Sequence, residues 1–206
     1  MKVLSLFDGI SCGMVALERA GVTVERYVAY EIDKNDIKVS KKNYPQIEHC
    51  GDVTTADFTQ YNGFDLLIGG SPCQDLCSMG SHKGLAGEKS GLFFEFARAL
   101  KEVNPKYFLL ENNASMTKEN EEIITKIMGV EPIMINSADF TAQNRKRLYW
   151  TNIPVEEWEI KNVLLFDIAQ SIEQKQEFLI TKKVNKYLSE EYKGRKIQKT
   201  VLASIR

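Results

Sequence analysis

The feature that most constrains this chain is a repeated punctuation: short, largely apolar runs that stop at a glycine or an acidic residue and give way to residues at helical spacing. Residues 3–7 form such a run and stop at Asp8-Gly9. Met14, Val15, Leu17 and Ala20 then recur at helical spacing until Gly21, which predicts a strand, a turn and a helix. Residues 27–32 read as a second strand, followed by a Lys-rich helix over 35–43. Residues 46–49 form a weaker third strand, and 64–68 a stronger fourth that runs straight into Gly69-Gly70-Ser71-Pro72. A helix over 92–103, a strand over 107–110, a helix over 121–128 and strands over 133–135 and 148–151 complete the pattern. Strand and helix alternate with short links, so the expected class is α/β, a Rossmann-like mainly parallel sheet with helices on both faces. After about Pro154 the pattern loosens into a polar, Lys-rich stretch with two candidate helices. The expected division is a core over 1–154 and a C-terminal segment over 155–206.

Composition excludes several classes. With 206 residues, 43% of them hydrophobic, the chain can bury a core and is neither disordered nor low-complexity. No apolar run approaches the ~18–20 residues of a membrane span, and residues 1–10, with one Lys and then Asp8, are not expected to act as a secretory leader. A soluble protein of the cytoplasm is expected, with no membrane partner. Cys12, Cys50, Cys73 and Cys77 include no CxxC pair, and His49 and His82 do not fall in ligand spacing with them, so neither a disulfide framework nor a metal site is expected. Charge is uneven: residues 171–206 hold nine Lys or Arg against four Asp or Glu, although the whole chain is at −1. Such a tail suits an anionic partner, and equally a solvated helix face.

Open parallel sheets bind ligands at the carboxyl ends of their strands, beside the point where strand order reverses. The first strand ends in Phe7-Asp8-Gly9-Ile10-Ser11-Cys12-Gly13, whose glycines would let the backbone approach a ligand. Its Gly-x3-Gly spacing differs from the GxGxxG of dinucleotide enzymes. The second strand ends at Glu31, where a carboxylate can accept both hydroxyls of a ribose, and Gly51-Asp52-Val53 places a second carboxylate after the third. Two such acids fit a nucleoside whose other end is not a phosphate, the shape of S-adenosylmethionine; as isolated motifs they also fit ordinary turn acids. Past the fourth strand, Cys73 follows Pro72 on a stiff loop, with Gln74 behind it; Glu111 stands at the tip of the strand over 107–110. Gln143-x-Arg145-x-Arg147 alternates three polar groups, which would share one face of an extended segment. Thiol, carboxyl and guanidinium together suggest a nucleophile, a proton donor and anion stabilisers.

In these motifs the chain resembles the DNA cytosine-5 methyltransferases. The matching stretches are Leu6-Phe7-Asp8-Gly9-Ile10-Ser11-Cys12-Gly13, Tyr30-Glu31-Ile32-Asp33, Gly51-Asp52-Val53, Gly70-Ser71-Pro72-Cys73-Gln74, Leu92-Phe93-Phe94-Glu95, Glu111-Asn112 and Gln143-Asn144-Arg145-Lys146-Arg147, in the family's order. Within the family, Asp65-Leu66-Leu67-Ile68-Gly69-Gly70-Ser71-Pro72 and Gly91-Leu92-Phe93-Phe94-Glu95-Phe96 look most like the animal de novo type and its phage relatives. Asn113 stands where the family usually has Val.

The resemblance implies S-adenosylmethionine as cofactor, double-stranded DNA as partner, no metal, and a bacterial or phage-infected cell as setting. It implies that Cys73 adds to C6 of cytosine and makes C5 nucleophilic, on a base flipped out of the duplex. Glu111 would bond N3 and the exocyclic amine, Arg147 would hold O2, and Asn112 would orient the Cys73 loop. Phe7, Asp8, Gly9, Ile10, Gly13, Glu31, Ile32, Asp52, Val53, Ser71, Pro72 and Leu92 would form the cofactor site, with Glu31 on the ribose, Asp52 on the adenine amine and Leu92 over the adenine face. Gln74, Gln143, Arg145 and Lys146 would meet nucleic acid. One branch of the family acts on tRNA, which stays open as a rival substrate. Family members continue into a target-recognition region and a Gly-Asn segment that closes the cofactor pocket; none of the 13 glycines here precedes Asn. The expectation is therefore a truncated product, one half of a split enzyme completed by a second chain, or a non-catalytic remnant.

Overall fold

The computed structural model describes residues 1–72 and 90–164. Cys73, Gln74, Cys77, His82 and the basic stretch 171–206 lie outside them. Among the described residues seven strands form one sheet: β1 Lys2–Leu6, β2 Arg26–Tyr30, β3 Glu48–His49, β4 Leu66–Gly69, β5 Tyr107–Asn113, β6 Ile133–Asn136 and β7 Lys146–Thr151. Four helices among the described residues join them: α1 Cys12–Arg19, α2 Lys34–Asn43, α3 Phe93–Val103 and α4 Lys118–Met128. The strand order is β3-β2-β1-β4-β5-β7-β6, with β1 to β5 parallel along their shared ladders and β7 antiparallel to β5. This is the expected Rossmann-like, mainly parallel α/β sheet.

Alternation along β1 shows how the two faces are filled. Leu4 and Leu6 point into a core with Val28, Tyr30, Leu67, Leu110 and Trp150, built up by Phe93, Phe96, Ala99 and Val103 of α3 and Ile124 and Met128 of α4. Val3 points to the other side, with Tyr27, Ala29, Ile47 and Leu66, where Met14 and Leu17 of α1 pack. Helices cover both faces, so strands buried on both sides read as continuous apolar runs. The chain reverses its winding between β1 and β4, the position at which such sheets open a crevice at their carboxyl ends.

Local chemistry sets the helix ends. Asp33 caps α2, its carboxylate accepting from the amides of Asn35 and Asp36, and Thr117 caps α4 by accepting from Asn120. That cap starts α4 three residues earlier than helical spacing predicts. Strand β5 runs to Asn113, beyond the expected end at 110, because β7 pairs with it from Leu109–Thr151 to Asn113–Arg147. An apolar-run criterion could not see this extension, since residues 111–113 are Glu-Asn-Asn.

Among the described residues the contacts form two compact units, one holding residues 1–72, 90–135 and 146–156, the other 136–145 and 157–164. In the second unit Asn136 accepts from the amides of Ala138 (3.2 Å) and Arg145 (3.1 Å), and the Trp158 indole donates to Asp139 at 3.1 Å. Phe140 packs on Trp158 with ring centroids 5.8 Å apart. Residues 155–164 carry no regular element, and the candidate helices beyond them lie outside the described residues.

Candidate active site

Register aligns the strand ends. Leu6 pairs with Tyr30 on one side and Gly69 on the other, and Gly69 pairs with Leu110. The next residue on each strand, Phe7, Glu31, Gly70 and Glu111, therefore stands just past the parallel part of the sheet, on four neighbouring strands. Glu111 is inside β5 rather than at its tip, yet it reaches the same level because only β7 continues beside it.

The turn after β1 is held in an unusual shape. Phe7, Gly9 and Ser11 all have positive φ, at 56°, 57° and 65°. For Phe7, a bulky residue, the left-handed conformation costs about 1–2 kcal/mol, the kind of strain that persists where surrounding contacts over-determine it. Those contacts are visible. The Asp8 amide donates to Tyr30 O at 3.2 Å. Glu31 Oε2 accepts from the Gly9 amide, and Glu31 Oε1 from the Ile32 and Asp33 amides, each at 2.8 Å. Beneath the turn, Asp8 Oδ1 accepts from Ser5 Oγ (2.6 Å) and Tyr27 OH (2.7 Å), and Oδ2 from Ser11 Oγ. Ser11 Oγ meets Ser40 Oγ, which meets His49 Nε2 at 3.1 Å. Burial and the Asp8 charge push the Tyr27 hydroxyl far up, and burial lowers His49, so both are neutral at pH 7.

This network adds structural roles to two residues expected at the cofactor site. The Asp8 carboxylate is turned inward and both its oxygens are engaged within the protein, which leaves ligand contact at this position to the backbone. A Cβ on Gly13 would meet Ile68 Cδ1 at 2.3 Å and Tyr27 OH at 2.8 Å, so its smallness also serves the packing of α1 on the sheet. Sequence reading missed Ser5, Ser11, Tyr27, Ser40 and His49 as supports of this turn; a polar Ser inside the apolar run over 3–7 was the one visible signal.

The other expected residues are placed as follows. Asp52 is exposed and caps a 3-10 turn, Oδ1 accepting from the Thr54 amide and hydroxyl at 2.9 Å each. Val53 is a core residue. Ile10 and Ile32 stand in solvent at 45% and 71% exposure, apolar side chains beside the strand ends. Leu92 packs against the core that also holds Val53 and takes in Phe7. Ser71 is buried, and Pro72 follows it at the edge of the described segment.

On the β5 side, Arg147 Nε contacts Glu111 Oε1 at 2.7 Å. The two are diagonal neighbours on antiparallel strands, since Arg147 pairs with Asn113 and Tyr149 with Glu111. Arg147 also donates to Lys146 O at 2.8 Å. A Cβ on Gly70 would lie 3.0 Å from Glu111 Oε2, so Gly70 leaves the space that brings this carboxyl against the loop leading to Cys73. Asn112, 1% exposed, donates from Nδ2 to Ser71 O (3.3 Å) and Ser71 Oγ (3.2 Å). Gln143 and Arg145 precede β7 and belong to the second compact unit, so the three polar groups do not share one strand. Lys146 opens β7 and is exposed. Among the described residues no group of three His, Cys, Asp or Glu could hold a metal, and no helix is long and apolar enough to cross a membrane.

The family model for C-5 cytosine-specific DNA methylases matches residues 1–204. The chain belongs to this family. It is similar to the orphan methyltransferase M.SPRI of Bacillus phage SPR, 33% identical over 177 residues, covering 78% of this chain and 40% of that protein. It is similar to the type II methyltransferase M.FnuDI of Fusobacterium nucleatum, 31% identical over 186 residues, covering 85% and 52%. With the type II methyltransferase M.Eco47II of Escherichia coli the identity is 44% over 112 residues, covering 53% and 26%. Among solved structures, an E. coli prophage protein described as a DNA modification methyltransferase superposes with a TM-score of 0.56 at 25% identity, over 73% of this chain and 46% of that one. The methylase chain thus spans from a quarter to about half the length of these relatives. The family uses S-adenosylmethionine as its methyl donor.

Proposed function

We propose that this chain is the cofactor-binding and chemical part of an enzyme that methylates C5 of cytosine in double-stranded DNA. The observation that carries the reading is the Glu111–Arg147 pair at 2.7 Å, set just past the parallel sheet and against Gly70, with Asn112 bonded to Ser71 at the start of the loop that leads to Cys73. S-adenosylmethionine supplies an electrophilic methyl on a sulfonium. Several residues fit it. Glu31 uses three of its roughly four lone-pair sites on backbone amides and keeps one for a ribose hydroxyl. Asp52 Oδ2 has no partner among the described residues and suits the adenine amine. Phe7, Ile10, Ile32 and Leu92 offer apolar contact for the adenosine, and Phe7 a ring face for the cation.

Each polar group at the β5 side has a task. The Cys73 thiolate adds to C6, breaking the ring's aromaticity and pushing electrons toward C5. Arg147, fixed by Glu111 Oε1, places a guanidinium at O2, where charge develops. Glu111 Oε2, on the Gly70 side, faces N3; a proton taken up from solvent with the base lies between them, passes to N3 as the thiolate adds and returns when the thiolate leaves. C5 takes the methyl as its bond to the sulfonium breaks, leaving the neutral thioether; loss of the C5 proton to water and departure of Cys73 then restore the ring and the thiolate. Asn112 keeps the nucleophile's loop in register through Ser71. Flipping the base out costs a few kcal/mol, which phosphate contacts from Lys and Arg, including Lys146, Arg145 and the stretch 171–206, would offset. Gln74 and Gln143 are assigned to the nucleic acid as well.

The remainder of the family's length, on this polypeptide or on a second one, supplies base-specific recognition, because phosphate contacts position a duplex without specifying sequence. The test is transfer of labelled methyl to duplex DNA and to tRNA at low and moderate salt. The 206-residue chain should label duplex cytosine at C5, slowly and with little sequence preference, and less as salt rises. A chain carrying the recognition region should raise turnover. Label confined to tRNA, or brisk site-specific methylation by the 206 residues alone, would overturn the reading.

A further inference from the structure

We infer that Arg98 is a positioning residue for the cofactor's adenine end, fastening the segment that carries Asp52 and Val53 to helix α3. The inference rests on the reading of that segment as an adenine wall. The segment between β3 and β4 contains no strand, only 3-10 turns at Val53–Thr55 and Phe58–Tyr61. Its internal bonds are short-range, such as Ala56 N to Val53 O at 3.2 Å and Thr55 Oγ1 to Asp52 O at 3.1 Å. Arg98 supplies long-range ones. Nη2 donates to Val53 O at 3.1 Å and Nη1 to Ala56 O at 3.0 Å, reaching 45 and 42 residues back along the chain. The guanidinium lies over the Phe58 ring, 4.4 Å from its centroid.

Two carboxylates on the same helix aim the guanidinium. Glu95 Oε2 contacts Nη2 at 2.6 Å and Glu102 Oε2 contacts Nη1 at 3.1 Å, one turn before and one after Arg98. Glu102 Oε2 also accepts from the Phe58 amide at 3.2 Å. A solvated ion pair within one helix would need none of the bonds to distant carbonyls. The geometry is that of a planar fork with its donors spread over two carbonyls and two carboxylates, which a lysine ammonium cannot reproduce. Because α3 begins directly after Leu92, one side chain ties the segment bearing Asp52 to the helix that follows the adenine's proposed cover. Loosening it should let Asp52 drift from its ligand without disturbing Glu111 or Arg147.

The experiment is a cycle of Arg98→Lys, Asp52→Ala and the double variant in the full chain, titrated with S-adenosylmethionine by calorimetry and checked by thermal melting. Arg98→Lys should weaken binding roughly tenfold, and Asp52→Ala should add little in that background, because both changes remove the same contact. Unchanged affinity in a folded Arg98→Lys protein, or losses that multiply in the double variant, would overturn the inference. If Asp52→Ala alone leaves affinity intact, the reading of Asp52 fails. A tenfold loss in Arg98→Lys would then still support the clamp, acting through the rest of the segment, and no loss would overturn it. Should Arg98→Lys not fold, Glu102→Gln loosens the same segment from the other side, and its affinity decides by the same criterion.

Discussion

Glu31 performs two tasks that one variant can separate. Its carboxylate accepts three backbone amides at 2.8 Å, so Glu31→Ala releases the turn after β1 as well as the expected ribose contact. A hydrogen bond to a charged group contributes about 1.5–3 kcal/mol when its partner is left unmet. The Ile32 and Asp33 amides are exposed and can rehydrate, whereas the Gly9 amide is partly buried, so stability should fall by only about 1–2 kcal/mol. Losing the ribose should weaken S-adenosylmethionine by roughly 1–3 kcal/mol, about 5- to 150-fold in Kd. Calorimetric titration with the cofactor and with an analogue lacking both ribose hydroxyls distinguishes the two effects. The native chain should prefer the hydroxylated ligand, and Glu31→Ala should lose that preference. A lower melting temperature with the preference retained would refute the ribose assignment and leave Glu31 as a loop anchor alone.

Three further outcomes follow from the same geometry. Gly13→Ala should destabilise the chain by roughly 1–2 kcal/mol in a urea titration, because the Tyr27 hydroxyl is pinned by Asp8 and the clash outweighs alanine's better helix propensity; a stabilised variant would refute this. Asn112→Ala should slow methyl transfer far more than it weakens cofactor binding, since it frees Ser71 on the nucleophile's loop; matched losses in both would count against it. Burial holds His49 below its ordinary value of about 6.5, so the unfolded chain takes up the proton first. Its contribution is complete above pH 6.5 and is lost as pH falls through the folded-state value; His49→Gln should flatten the pH dependence of unfolding in that window, and an unchanged slope would exclude the effect.

The parts of the fold that could be read from sequence were those set by local chemistry. Apolar runs over 3–7, 27–32 and 64–68 became β1, β2 and β4 within two residues at each end, and the glycines and acids behind them fell at one sheet level. What was not legible has a common cause. Gly13 and Asp8 sit in a motif that looks ligand-facing along the chain, but the side chains they also pack or bond with, Ile68 and Tyr27, arrive from other strands. Glu111 was placed at a strand tip because polar residues end an apolar run, whereas pairing with a later antiparallel strand extended β5 past it. The split of Gln143 and Arg145 from Arg147 likewise depends on packing that alternation cannot express.

The most direct test of the account is covalent trapping on duplex DNA carrying 5-fluorocytosine, in the presence of S-adenosylmethionine. Fluorine at C5 cannot leave as a proton does, so an adduct accumulates even when turnover is slow. Mass spectrometry of the denatured complex should find one methylated adduct on Cys73, absent in Cys73→Ser and retained in Cys77→Ser. An adduct that persists in Cys73→Ser, or none in the unaltered chain with bound cofactor and DNA, would contradict the claim that this fold performs cytosine C5 methylation through that thiol.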